Sequence, residues 1–256
     1  MSDNAELKIN RAAKHVVELD ELVREKHPFT FICETNTRTG KRTAFVKEDE
    51  PTVAAVSIIS GDIVHNLRTA LDHAYWGIVS PYATTPKEER TIQFPFSETA
   101  ARLEEAVKNR FADRVSATFF QALIDLKPHG DSGGDELLYL VYQLDNLDKH
   151  RLLIPTCDET RLPYAQIERY LPGFPVRASA GSVFTQCEFA WRPDTLPADI
   201  GSAKTPTTNI FEQEIPIPID IGLMILPALK SYPAIPTLGK LIDVTRKTIE
   251  VIRYAA

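Results

Sequence analysis

The chain has 256 residues, 43% of them hydrophobic and 25% charged, with 29 Lys plus Arg against 35 Asp plus Glu for a formal net charge of −6. That length can bury a core without metals or disulfides, and the charge balance argues against a basic nucleic-acid-binding surface overall, although a local patch would be compatible with it. Cys33, Cys157 and Cys187 lie far apart and form no CxxC pair, which predicts three reduced thiols in a cytoplasmic protein, with neither a disulfide framework nor a thiolate zinc site.

The opening MSDNAELKIN carries early charges and lacks an apolar stretch, so no signal peptide is expected. The longest apolar run, IGLMILPAL, is broken by Pro227 and too short to span a bilayer. No membrane association is expected.

From Ala5 to about Glu25, Leu7, Val16, Leu19, Leu22 and Val23 recur at helical spacing, and Pro28 ends the run. FTFICETNTRTGKRTAFV then reads as two β-rich runs around a turn from Asn36 to Gly40, a hairpin. Its Arg38, Lys41, Arg42 and Lys47 make it the most basic local element, and the ordinary reading of such a cluster is a solvated strand face. A long helix is predicted from about Pro51 to Val79, with Pro51 suited to a first helical position. After a Pro-punctuated excursion, SPYATTPKEERTIQFPF, helical patterns run from about Glu98 to Phe111, Ser116 to Leu126 and Asp135 to His150. Beyond Arg151 the texture is β-rich in RLLIPT, VRASAGSVFTQCEFAW and IFEQEIPIPIDI, around the linker RPDTLPADIGSAKTPTT. An amphipathic helix from about Ile235 to Tyr254 closes the chain. The expected class is α+β: a mainly helical bundle with an N-terminal β-hairpin and a small C-terminal antiparallel β unit. Residues 1–155 would form the bundle with its hairpin. Residues 156–256 would form the β-rich unit plus a helix returning to the bundle.

Two helices carry unusual polar side chains. On DIVHNLRTALDHAYW, Ile63, Leu67, Ala70, Leu71, Ala74 and Ile78 share one arc. Asp62, His65, Asn66, Arg68, Thr69, Asp72, His73 and Trp76 share the other, with Arg68 and Asp72 spaced to pair. In ELLYLVYQLDNLDKHRLL, Tyr139, Gln143, Asn146 and His150 form a second stripe. Stripes packed face to face would satisfy each other, since an unpaired buried polar group costs ~1–3 kcal/mol. A hydrogen-bonded seam without chemistry accounts for all these residues. A working pocket requires the segments around His73 and His150 to face each other.

Three chemistries compete with that seam. His65, Asp72, His73 and His150 suit zinc or iron, but His65 and His73 stand about 12 Å apart along a helix and no H-E-x-x-H occurs, so no metal is expected. GDSGG, Gly130 to Gly134, is similar to the nucleophile loop of trypsin-like serine proteases; its helical flanks instead predict a cap in which Asp131 or Ser132 receives the first N–H groups of the next helix. Arg68-Thr69-Ala70-Leu71-Asp72-His73 has the R-x4-H spacing and resembles the motif of HEPN-type α-helical domains, with Thr69 where that family often has Asn. The resemblance implies metal-independent RNA cleavage at a homodimer interface: His73 transferring a proton, Arg68 stabilising phosphate charge, and Asp72, Asn66 and His150 orienting them.

HNLRTALDHAYW and LDNLDKHRLL together resemble a group of bacterial proteins of unknown function with paired HNLRxALDH and NxDKHR motifs, and QFPF lies between the two as in that group. That resemblance implies a shared bundle and singles out His65, Asn66, Arg68, Asp72, His73, Asn146, Asp148, Lys149, His150 and Arg151. It brings no activity, and no cofactor is expected. The catalytic candidates are His73, Arg68, Asp72 and His150; His65, Asn66, Asn146, Lys149 and Arg151 are the substrate-binding candidates. RNA and a second copy of the chain are the candidate partners, and the alternative is a non-catalytic module built on the seam that contacts a protein.

Overall fold

The computed structural model describes residues 3–36, 38–150, 153–158, 189–191, 210–215, 220–225 and 230–256. Its α+β character is mainly helical. The helices are α1 (Asn4–Lys26), α2 (Glu50–Val79), a single turn α3 (Pro86–Glu89), α4 (Ala100–Lys108), α5 (Ala117–Asp125), α6 (Glu136–His150) and α7 (Ala234–Ala255). The strands are β1 (Phe29–Asn36), β2 (Arg42–Glu48), β3 (Ile154–Asp158), β4 (Phe189–Trp191), β5 (Ile210–Ile215), β6 (Asp220–Ile225) and β7 (Lys230–Pro233).

Local chemistry explains most of the boundaries. Asp49 caps α2, accepting from the Thr52 backbone N–H at 3.2 Å and from the Thr52 hydroxyl. Ser116 caps α5 through a 3.0 Å bond from Phe119 N–H. In the hairpin turn, Asn36 Oδ1 accepts from the N–H groups of Arg38 and Thr39, and Gly40 takes the left-handed conformation at φ 69°.

The chain divides into two compact units, and no single cut separates them. One comprises residues 1–21, 57–153 and 235–256; the other, residues 22–56 and 154–234. One division falls between Leu153 and Ile154, beside the expected one, while the hairpin groups with the later strands. β1 pairs antiparallel with both β2 and β5, and β2 pairs with β4, giving the order β4-β2-β1-β5. The hairpin is the centre of a sheet completed by strands from the far half of the chain. A second antiparallel sheet has the order β3-β6-β7. The predicted run IFEQEIPIPIDI is two strands, in different sheets.

Pairing also corrects the basic hairpin. Arg42 is buried at 2% exposure, opposite Thr35 and Trp191, whereas Arg38, Lys41 and Lys47 are exposed. Lys47 lies 3.8 Å from Glu212 of β5, where Glu212 and Glu214 are both exposed. The strand face is thus of mixed charge.

The helical unit centres on Tyr75, which is fully buried. Its ring meets Phe94 edge-on at 6.1 Å and stacks with Phe119 at 5.9 Å, while its hydroxyl donates to the Arg110 carbonyl at 2.9 Å. Ile63, Leu67 and Leu71 of α2, Leu138 and Leu144 of α6, and Leu238 and Leu241 of α7 are also buried. The apolar arc predicted for α2 is the arc that packs.

Candidate binding site

The polar arc of α2 divides into an inner and an outer edge. Asn66 and Arg68 are buried, Asp72 is part-buried, and Asp62, His65, His73 and Trp76 are exposed. The difference follows from what lies beside each residue along the helix.

Toward α6, His65 Nδ1 approaches Asp145 Oδ1 at 3.1 Å. Lys149, one turn along α6, brings Nζ within 2.5 Å of Asp145 Oδ2 in an ion pair. The Asp145 side chain is 1% exposed, against 55% for His65 and 50% for Lys149. A carboxylate so far from water requires partners of this kind. Asp145 and Lys149 stand in the acid-then-base i, i+4 order, a signal carried by the sequence on a different line of α6 from Tyr139, Gln143, Asn146 and His150. Close by, a Cβ on Gly61 would stand 2.3 Å from Asp148 Oδ1, so glycine permits the approach of α2 and α6 there. Burial first, then the carboxylates of Asp145 and Asp62, push the Asp148 carboxyl above its ordinary range. Asn66 faces α1 instead: its amide donates to the Asp62 carbonyl at 2.7 Å and accepts from Lys8 Nζ at 3.3 Å.

Arg68 organises the inner edge. Nη2 donates to the Phe94 carbonyl at 3.2 Å and pairs with Asp72 Oδ1 at 3.1 Å, and the same carboxylate oxygen accepts from Phe94 N–H at 2.8 Å. Arg68 and Asp72 thus clamp both backbone groups of Phe94. The guanidinium lies 4.7 Å from the centre of the Phe96 ring and 5.8 Å from that of Tyr142, and these two rings stack at 5.0 Å. Burial raises the Asp72 carboxyl, opposed by Arg68 and the Phe94 bond. Arg68 Nη1 is buried without a hydrogen-bond partner.

Arg68 is one wall of a cavity of about 250 Å³, together with Phe94, Phe96, Asn109, Arg110 and Tyr142. Arg110 donates from Nη1 to the Thr91 carbonyl at 2.6 Å, and burial, then the neighbouring Arg68, pull its ionisation below the usual arginine range. QFPF therefore matters as the segment carrying the cavity wall. Arg110 had no motif to reveal it, since it reaches the cavity from the end of α4.

His73 and His150 are exposed, and neither ring has a hydrogen bond or ion pair among the described residues. Asn146 is part-buried, and Arg151 lies outside the described residues. Among the described residues no group of three His, Cys, Asp or Glu side chains is placed to hold a metal ion, and no helix is long and apolar enough to cross a membrane.

GDSGG caps helices by a different assignment from the expected one. Asp135, not Asp131 or Ser132, caps α6 by accepting from Leu138 N–H at 2.9 Å. Asp131 instead receives Ala100 N–H at 2.8 Å, at the start of α4. In this loop Gly133 takes a left-handed φ of 89°, and Gly134 N–H donates to the Asp131 carbonyl at 3.0 Å.

No family model, curated protein or solved structure matches the chain.

Proposed function

We propose that the chain is a non-catalytic interaction module of a reducing, cytoplasmic compartment, in which the polar stripes fix the register of α2 against α6. The observation that carries this reading is Asp145, buried at 1% and held by both His65 and Lys149. Arg68 and Asp72 are likewise occupied with the Phe94 backbone, a structural task. Cys33, a free and buried thiol raised by its burial, supports the compartment.

One observation favours a HEPN-like ribonuclease as the second reading: Arg68 Nη1 is a free cationic donor of the kind that stabilises phosphate charge. Wild type and His73→Ala, incubated with a structured RNA and melted in parallel, separate the two. The interaction module gives no RNA breakdown in either protein and an unchanged melting temperature, because the His73 ring is exposed. Cleavage by wild type that disappears in His73→Ala at the same melting temperature would establish the ribonuclease instead.

A further inference from the structure

We propose that the cavity between Arg68 and Arg110 is a binding site for a small organic oxyanion, a carboxylate or a phosphate ester attached to a compact apolar body. It relies on the seam to hold Arg68 in place, yet it stands whether or not the protein is a catalyst.

The first argument is the orphaned donor. Buried N–H groups in native proteins nearly always find an acceptor, and leaving a charged one without any is costly. Arg68 is 6% exposed, its Nη2 is fully engaged, and Nη1 has no partner in the protein. An acceptor supplied by a ligand would complete it.

The second argument is charge. The residues walling the cavity include two arginines and no acid. Asp72 answers Arg68 from the Nη2 side, leaving one positive charge unbalanced across the pair. Arg68 lowers the ionisation of Arg110, as one guanidinium does to another lining the same cavity. A planar oxyanion between them accepts from both forks and removes their repulsion.

The third argument is size and lining. A dry apolar cavity of roughly 150 Å³ accommodates benzene, so about 250 Å³ admits one ring bearing an acidic group. Phe94, Phe96 and Tyr142 supply an apolar wall for the body, and Asn109 offers an amide at the exposed side.

The experiment is calorimetric titration of the full-length protein with benzoate, phenyl phosphate and inorganic phosphate, with neutral benzamide as control. Saturable binding of benzoate or phenyl phosphate is expected, and whichever binds tighter identifies the acid group. Arg110→Gln should weaken that binding about tenfold or more. Ala106→Phe, which fills the cavity from its wall, should abolish it, and serves if Arg110→Gln fails to fold. The proposal is overturned by folded wild type that binds none of the anions up to about 10 mM. It is equally overturned by benzamide binding as well as benzoate, or by a folded Arg110→Gln or Ala106→Phe with unchanged affinity.

Discussion

His65 and Asp145, 80 residues apart in sequence, meet at 3.1 Å between α2 and α6, and the carboxylate is the buried member of the pair. This asymmetry dictates which variant does the damage. Removing both partners, in His65→Ala/Lys149→Ala, leaves the Asp145 carboxylate unpaired at a site that is 1% exposed, and such losses cost about 3–5 kcal/mol. Asp145→Asn leaves its former partners half in water, and about 1 kcal/mol is expected. Urea denaturation checks the order. If Asp145→Asn proved the more damaging, the seam would not be what shelters the carboxylate.

Two glycines of α2 make opposite predictions. Alanine at Gly77 meets nothing within 4 Å and should stabilise the helix by roughly 0.5–1 kcal/mol. At Gly61 the same methyl group would strike Asp148, and displacing it should cost about 1–3 kcal/mol, outweighing the helical gain. Melting temperatures should therefore move up for Gly77→Ala and down for Gly61→Ala. Equal shifts would mean that α2 and α6 do not approach closely at this point.

The pH dependence has two parts of opposite sign. Asp148 is raised by burial and by Asp145 and Asp62, so the stability of its neutral form is fully present below the unfolded pKa and is lost as pH rises through the raised folded value. Asp148→Asn should accordingly be more stable than wild type at neutral pH, with the gain vanishing in acid. Glu88 runs the other way: paired with Arg114 at 2.9 Å through each oxygen and bonded by Thr84, it is held down to about 2. Its contribution is present above the ordinary value and is lost as pH falls toward about 2. Carboxyl NMR titration should find that midpoint near 2 in wild type and well higher in Arg114→Gln. A Glu88 midpoint unmoved by Arg114→Gln would discard the pairing.

The long helices were readable from the sequence to within a residue or two because their signals are local: apolar spacing along each, and Pro51 beside the start of α2; the caps Asp49 and Asp135 were not picked out. Sheet order was not readable, because β1 finds β5 far along the chain and nothing near Phe29 announces it. The burial of Arg42 was hidden for a similar reason, since β2 also pairs with β4, far along the chain. At the site, the spacing of Arg68 and Asp72 disclosed their ion pair. That both would turn to the Phe94 backbone depended on where QFPF returns to α2, which composition does not encode.

The loop from Gly130 to Asp135 acts as a clasp. Asp131 fastens the front of α4 and Asp135 the front of α6, while Gly130 N–H reaches the Ser97 carbonyl at 3.3 Å. Severing or lengthening the chain at Ser132 would slacken both helices together and unfasten the aromatic segment behind Arg68. A change of one short loop, wrapped against the buried His129 and far along the chain from Arg68, would thus reach the cavity wall.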